Sequence, residues 1–267
     1  MPAIKRGNAE IYYEIHGEGD PVVCVGGWGS FCHGETNHLP WGLVDRHKVI
    51  ILDYRGLGDS TDDTGLEPSL DIYADDIIAI LDHLELTNVH MLGMVGMGAC
   101  LTQLVCIKRP DLARSMINTG GWATVDRHLE DHLSLFLDVH KSMGFLAFQR
   151  LVSIISFEED YYNKNIGRLL GEDGVWHHLN GNVSTHQRFV EASVKHDVLN
   201  QLKSVETPAL IVHAPLDAVT GLRTTKPIEE AMPNARGFML EGAAHVIAGK
   251  ALKQEFARLI QGFYASI

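Results

Sequence analysis

Residues His90 to Cys100 read HMLGMVGMGAC, an apolar strand that runs into a glycine-rich bend and then a helix. A bend of the form G-x-S-x-G presents a serine hydroxyl for attack on a carbonyl. This one holds no serine, and no aspartate in its place. The other residue types that do chemistry are scattered. The four cysteines, Cys24, Cys32, Cys100 and Cys106, form no C-x-x-C pair, which argues against a zinc knuckle. Cys100 falls a turn into the helix after the bend and reads as a core thiol. Of 15 histidines only His177 and His178 are adjacent, a spacing that suits a loop rather than a metal site on one helix face. Nothing in the sequence calls for a metal or an organic cofactor.

The elements that must position any site follow from apolar patterning. PVVCVGG (21–27), KVIILD (48–53), NVHMLG (88–93), ARSMINTG (113–120), PALIVHA (208–214) and ARGFMLEG (235–242) are short apolar runs, read as strands, mostly buried on both faces. AEIYYEIHG (9–17) predicts a further strand ending at a turn. Between them, 69–86, 97–109 and 249–265 have helical patterning, with Ser69 placed to cap the first and Pro110 to stop the second. Strands alternating with helices predict an α/β fold with a mainly parallel sheet covered on both faces. Residues 122–200 break the alternation, with only helical or loop patterns. They predict a helical lid inserted into a core made of 1–121 and 201–267.

The formal charge of −12 argues against nucleic acid as a partner, and there is no P-loop or G-x-G-x-x-G. No apolar run reaches membrane-spanning length, and the N-terminus lacks a signal-peptide core. The expectation is a cytoplasmic monomer or homodimer that meets a small molecule, with neither nucleic acid nor membrane as partner.

The chain resembles the α/β-hydrolase superfamily, and five segments in order carry the likeness. VVCVGGWGS resembles the strand and oxyanion loop, and VIILDYRGLGDS the strand followed by D-x-R-G-x-G-x-S. HMLGMVGMGAC stands at the nucleophile elbow, LIVHAPLDAVT at the acid and LEGAAHV at the histidine. The order of elbow, acid and histidine is that of the superfamily. The small lidded members are the nearest in look: enol-lactonases, meta-cleavage-product C–C hydrolases, and the related hormone-receptor and stress-regulator hydrolases.

The resemblance implies roles. His245 is the expected general base and acid, and Asp217 the carboxylate that orients it. Asp126 is the alternative acid, at a position some members use. One oxyanion donor is expected near Gly27 or Trp28, and the other at Gly96 or Met97. Ser30 and Cys32 lie in the same loop and are within its reach. DYRGLGDS (53–60) is read as a structural turn. Two counts locate the nucleophile position differently. Counting forward from the preceding helix gives Val95, whereas counting back from Pro110 gives Gly96. Neither side chain can attack a carbonyl, and the disagreement implies either one extra residue around the bend or a strand that ends one residue late.

A histidine–carboxylate pair still activates water or removes an acidic proton without a covalent intermediate. The expected function is hydrolysis of a small carbonyl compound (a C–C, lactone, ester or amide bond). A lyase or cofactor-free oxygenase, or a non-catalytic small-molecule sensor, are the alternatives. The lid's aromatic residues, among them Trp122, Phe136 and Trp176, predict an apolar pocket. Arg127, His128, His132 and Arg188 are its candidate polar handles.

Overall fold

The computed structural model describes residues 2–29 and 36–267. The strands are β1 (Ala3–Arg6), β2 (Ala9–His16), β3 (Asp20–Val25), β4 (His47–Leu52), β5 (Val89–Met94), β6 (Ala113–Thr119), β7 (Ala209–His213) and β8 (Ala235–Met239). They form one sheet in the order β1-β2-β4-β3-β5-β6-β7-β8. β2 pairs antiparallel with β1 and with β4, and every other pairing is parallel. β1 has no counterpart in the sequence reading. Its four residues, AIKR, are too short and too polar to stand out, and β1 sits at the sheet edge, where a strand needs partners on one side only.

The apolar runs are continuous because both faces of the central strands are covered. Val22, Cys24, Val49 and Ile51 pack on one face with Phe256, Ile260 and Phe263 of α9 (Lys250–Tyr264). Their neighbours Val23, Val25, Ile50 and Leu52 point the other way, into the cluster holding α1 (Leu70–His83) and α2 (Met97–Lys108). Side chains alternate at a period of two, so a strand sandwiched between helices needs apolar residues at successive positions. Ser69 occupies the N-cap of α1, but its side chain makes no capping bond.

Between β6 and β7 the chain is helical: α3 (Arg127–Met143), α4 (Phe145–Ser156), α5 (Glu159–Leu169), α6 (Val183–Ser193) and α7 (Leu199–Leu202). The long apolar stretch at 128–155 is two helices, because Gly144 takes φ +84 between them. α8 (Leu222–Ala231) follows β7 and was not anticipated: its helical pattern is interrupted by Pro227.

The DYRGLGDS segment is a built turn. Asp53 accepts the Asp59 N–H at 2.8 Å, and a Cβ at Gly58 would collide with the Asp53 carboxylate. Arg55 reaches across to Asp76 on α1 with two bonds of 2.6 and 2.7 Å, both side chains buried.

The bend after β5 depends on two close approaches. A Cβ on Gly93 would lie 2.7 Å from the Ala99 Cα of α2, and one on Gly98 would lie 2.4 Å from the Val25 carbonyl oxygen and 2.5 Å from that of Gly26. Replacing Gly98 by Ala therefore forces backbone against backbone, with an expected loss of about 3 kcal/mol. Gly262→Ala is the matched control, since a Cβ there meets nothing within 4 Å inside α9, and should gain about 0.5–1 kcal/mol. Urea unfolding of the two variants checks both signs.

Candidate active site

His245 lies in the loop between β8 and α9, and Asp217 just beyond β7. They are 28 residues apart in sequence, yet His245 Nδ1 meets Asp217 Oδ2 at 2.9 Å. A carboxylate accepts only, so Nδ1 carries the hydrogen and Nε2 is left as the basic ring atom. Asp217 is itself fixed by its own turn. Its Oδ1 accepts the N–H groups of Val219 (2.8 Å) and Thr220 (2.9 Å), and its Oδ2 accepts the Thr220 hydroxyl at 2.6 Å. Burial alone would raise this carboxyl's pKa. The histidine and the Thr220 donors outweigh burial and hold it well below the usual carboxylate range.

Thr220 was missed in the sequence. The signal was there: an aspartate followed three residues later by threonine, after a strand, is a turn in which the side chain satisfies local N–H groups. Gly120, at φ +57, packs against the pair. A Cβ there would stand 3.3 Å from His245 Nδ1 and 3.5 Å from Asp217 Oδ2.

His245 borders a small cavity of about 40 Å³, enough for a few water-sized groups. Gly27, Trp28, Val95, Gly96 and Met97 line it as well, so three segments distant in sequence converge there. Trp122, Phe136 and Trp176 supply aromatic walls, and Leu133, Val152 and Ser156 close it from α3 and α4. Ser156 also ties α4 to the histidine loop: its carbonyl accepts the Val246 N–H at 2.8 Å. Ser30 and Cys32 lie outside the described residues.

Several expectations need correction. Asp126 does not touch His245. It caps α3 by accepting the Leu129 N–H at 2.8 Å, and it pairs with Arg223. Arg127 is largely exposed and pairs with Asp131, and Arg188 pairs with Asp62 at 2.7 Å. Neither guanidinium lines the cavity. Cys100, by contrast, is the core thiol that its place in the sequence suggests: it is fully buried with its thiol against the Trp122 carbonyl, and burial pushes its pKa up, away from a reactive thiolate.

Val95 and Gly96 both have positive φ, +61 and +57, and Gly96 (ψ −123) is the N-cap of α2. The two glycines that the packing demands, Gly93 and Gly98, are five positions apart, one more than in G-x-S-x-G. Among the described residues, a Cβ on Gly96 would meet only Trp122, at 3.8 Å. Positive φ at a β-branched valine is rare and strained, worth about 1–3 kcal/mol.

A family model described as Serine aminopeptidase, S33 matches residues 33–249. A relative from Azorhizobium caulinodans named "Putative carbamate hydrolase RutD" is 26% identical over 268 residues, covering 100% of this chain and 99% of its own. A relative of the same name from Caulobacter sp. (strain K31) is 24% identical over 84% of this chain and 85% of its own. Among solved structures, MGS-M2, an α/β hydrolase from a Medee basin deep-sea metagenome library, superposes with a TM-score of 0.89 at 19% identity, covering 99% of this chain and 97% of its own. The enol-lactonase of Burkholderia xenovorans LB400 does so at 0.85 and 17% identity, over 99% of this chain and 100% of its own.

The Asp217 environment predicts a pH signature. A carboxyl held below its unfolded pKa of about 3.9 adds stability that is complete above that value and disappears as pH falls toward the folded one. Asp217→Asn is expected to lower stability by about 2 kcal/mol at pH 7, and to lose less than the wild type between about pH 5 and pH 2. Thermal melts across that range read both effects.

Proposed function

Because the chain belongs to the family described as Serine aminopeptidase, S33, and to the α/β-hydrolase superfamily, we propose that it hydrolyses a small carbonyl compound through general-base activation of water, with no covalent intermediate on the chain. The observation that carries this reading is the juxtaposition at the cavity. A histidine held by a buried carboxylate borders the same space as a bend whose two tip residues, Val95 and Gly96, lack any nucleophilic atom.

In this mechanism Asp217 fixes the ring of His245 and offsets the positive charge it gains. His245 Nε2 takes a proton from a water molecule as the water oxygen bonds to the substrate carbonyl carbon. The carbonyl π electrons move to oxygen. Met97, the first residue of α2, has an N–H with no carbonyl of its own helix to bind, and it stands where the helix dipole favours negative charge. The Met97 N–H and a backbone N–H of the Gly27–Trp28 loop are the proposed donors to that oxyanion. When the intermediate collapses, the bond to the leaving group breaks and His245 returns the proton to it. Residues 122–200 serve as the lid that keeps bulk water from the cavity.

The relatives named carbamate hydrolases favour a carbonyl flanked by nitrogen or oxygen as the bond attacked. His245→Ala is expected to lower turnover of small esters, lactones or amides by about 10²–10⁴-fold. Heavy-oxygen water should place one label in the acid product, and a reaction quenched in mid-turnover should show no acyl group on the chain by intact-mass spectrometry. An acyl adduct, or unchanged turnover in His245→Ala, would overturn the reading.

A further inference from the structure

The cavity beside His245 is unusual in what its walls leave unsatisfied. Trp28 Nε1, Trp122 Nε1 and Ser156 Oγ are buried polar atoms with no hydrogen-bond partner among the described residues. All three residues line this cavity, and they are 7%, 1% and 0% exposed. An indole N–H can only donate, and a buried donor without a partner costs about 1–3 kcal/mol. Two unmatched indoles and a hydroxyl around one small space mark a place where an acceptor-bearing molecule recovers that cost.

Charge narrows the class. No lysine, arginine, aspartate or glutamate lines the cavity among the described residues, and residues 30–35, SFCHGE, contain no lysine or arginine to add. Asp217, the carboxylate behind His245, is occupied by His245 and Thr220. An anion entering this space would give up its water with no lysine or arginine to meet it, only the partial charge of the α2 N-terminus, and beside a carboxylate of the same sign. A cation would find no carboxylate among the described lining residues. Either cost exceeds what a few neutral donors return.

We propose that the cavity selects a small, uncharged carbonyl compound, and that Trp28, Trp122 and Ser156 are its specificity determinants, their N–H and O–H groups donating to acceptor atoms on the ligand. This inference rests on the reading of the cavity as the reaction site and adds the substrate's charge state and the groups that recognise it. Neutral amides, lactones and carbamate esters fit; a free carboxylate of the same shape does not.

Acetamide and acetate are the probes, since they share shape and differ in charge. The full-length protein contains four tryptophans, Trp28, Trp41, Trp122 and Trp176, so its indole N–H signals form a short nuclear magnetic resonance spectrum, assignable by Trp→Phe variants. Acetamide should move the Trp28 and Trp122 signals and leave that of Trp41 in place, and acetate should bind at least about tenfold more weakly. Trp122→Phe and Ser156→Ala should each weaken acetamide by about fivefold to tenfold, the loss of one hydrogen bond. Acetate binding as tightly as acetamide, or acetamide moving neither indole signal, overturns the proposal. His245→Ala separates this inference from the hydrolytic one. The variant should still bind acetamide, whereas only the mechanism fails if it also keeps its turnover.

Discussion

The approach of α2 to the carboxyl end of β3 governs what the rest of the molecule can do. Gly98 brings the first turn of α2 against the carbonyls of Val25 and Gly26, and Gly93 lets β5 lie against the same helix near Ala99. A side chain at either position would push the helix away from the sheet. With both contacts made, the N-terminus of α2 is fixed next to the Gly27–Trp28 loop, and Gly96 and Met97 line the space that His245 borders. The cavity and its relation to the histidine both depend on that fit.

The same fit accounts for the bend between the two glycines. The chain must cover Met94 to Met97 between two fixed anchors, one residue more than the G-x-S-x-G form allows. Two consecutive residues with positive φ absorb the extra length. Glycine does so at no steric cost, whereas Val95 does so under strain. Strain of this size persists only where the surroundings over-determine it. Here the surroundings are the bonds from Val95 N–H and Gly96 N–H to the carbonyls of Thr119 and Gly120. Those bonds continue the β5–β6 pairing past the end of the strand and so hold the backbone of the bend.

The histidine side of the site is built differently, from loops rather than from a helix and strand. Asp217 is organised by its own turn through Thr220, His245 is held between Asp217 and Gly120, and the next residue, Val246, hangs from the last residue of α4. The helical segment is thereby coupled to the histidine loop by a backbone hydrogen bond. A displacement of α4 would disturb Ser156 and the histidine loop together, which links the shape of the cavity to the position of the base.

The sequence by itself determined the sheet and the order of the site's parts. Continuous apolar runs between helical patterns can be satisfied only by strands covered on both faces, so seven of the eight strands were legible, and β1 was not because its four residues carry no pattern. The placing of His245 after β8 and Asp217 after β7 was legible too, through resemblance to the superfamily. What only the tertiary structure decided was contact. Asp126 and Asp217 are equivalent as residue types, and they part because one caps α3 while the other faces the histidine. The position at the bend could not be settled by counting, since the extra residue is shared between Val95 and Gly96 and shows only in their backbone angles. Trp28, Trp122 and Ser156 are apolar walls or a helix end when read along the chain. Whether their polar atoms find partners is fixed by side chains far away in sequence, and no local pattern encodes that.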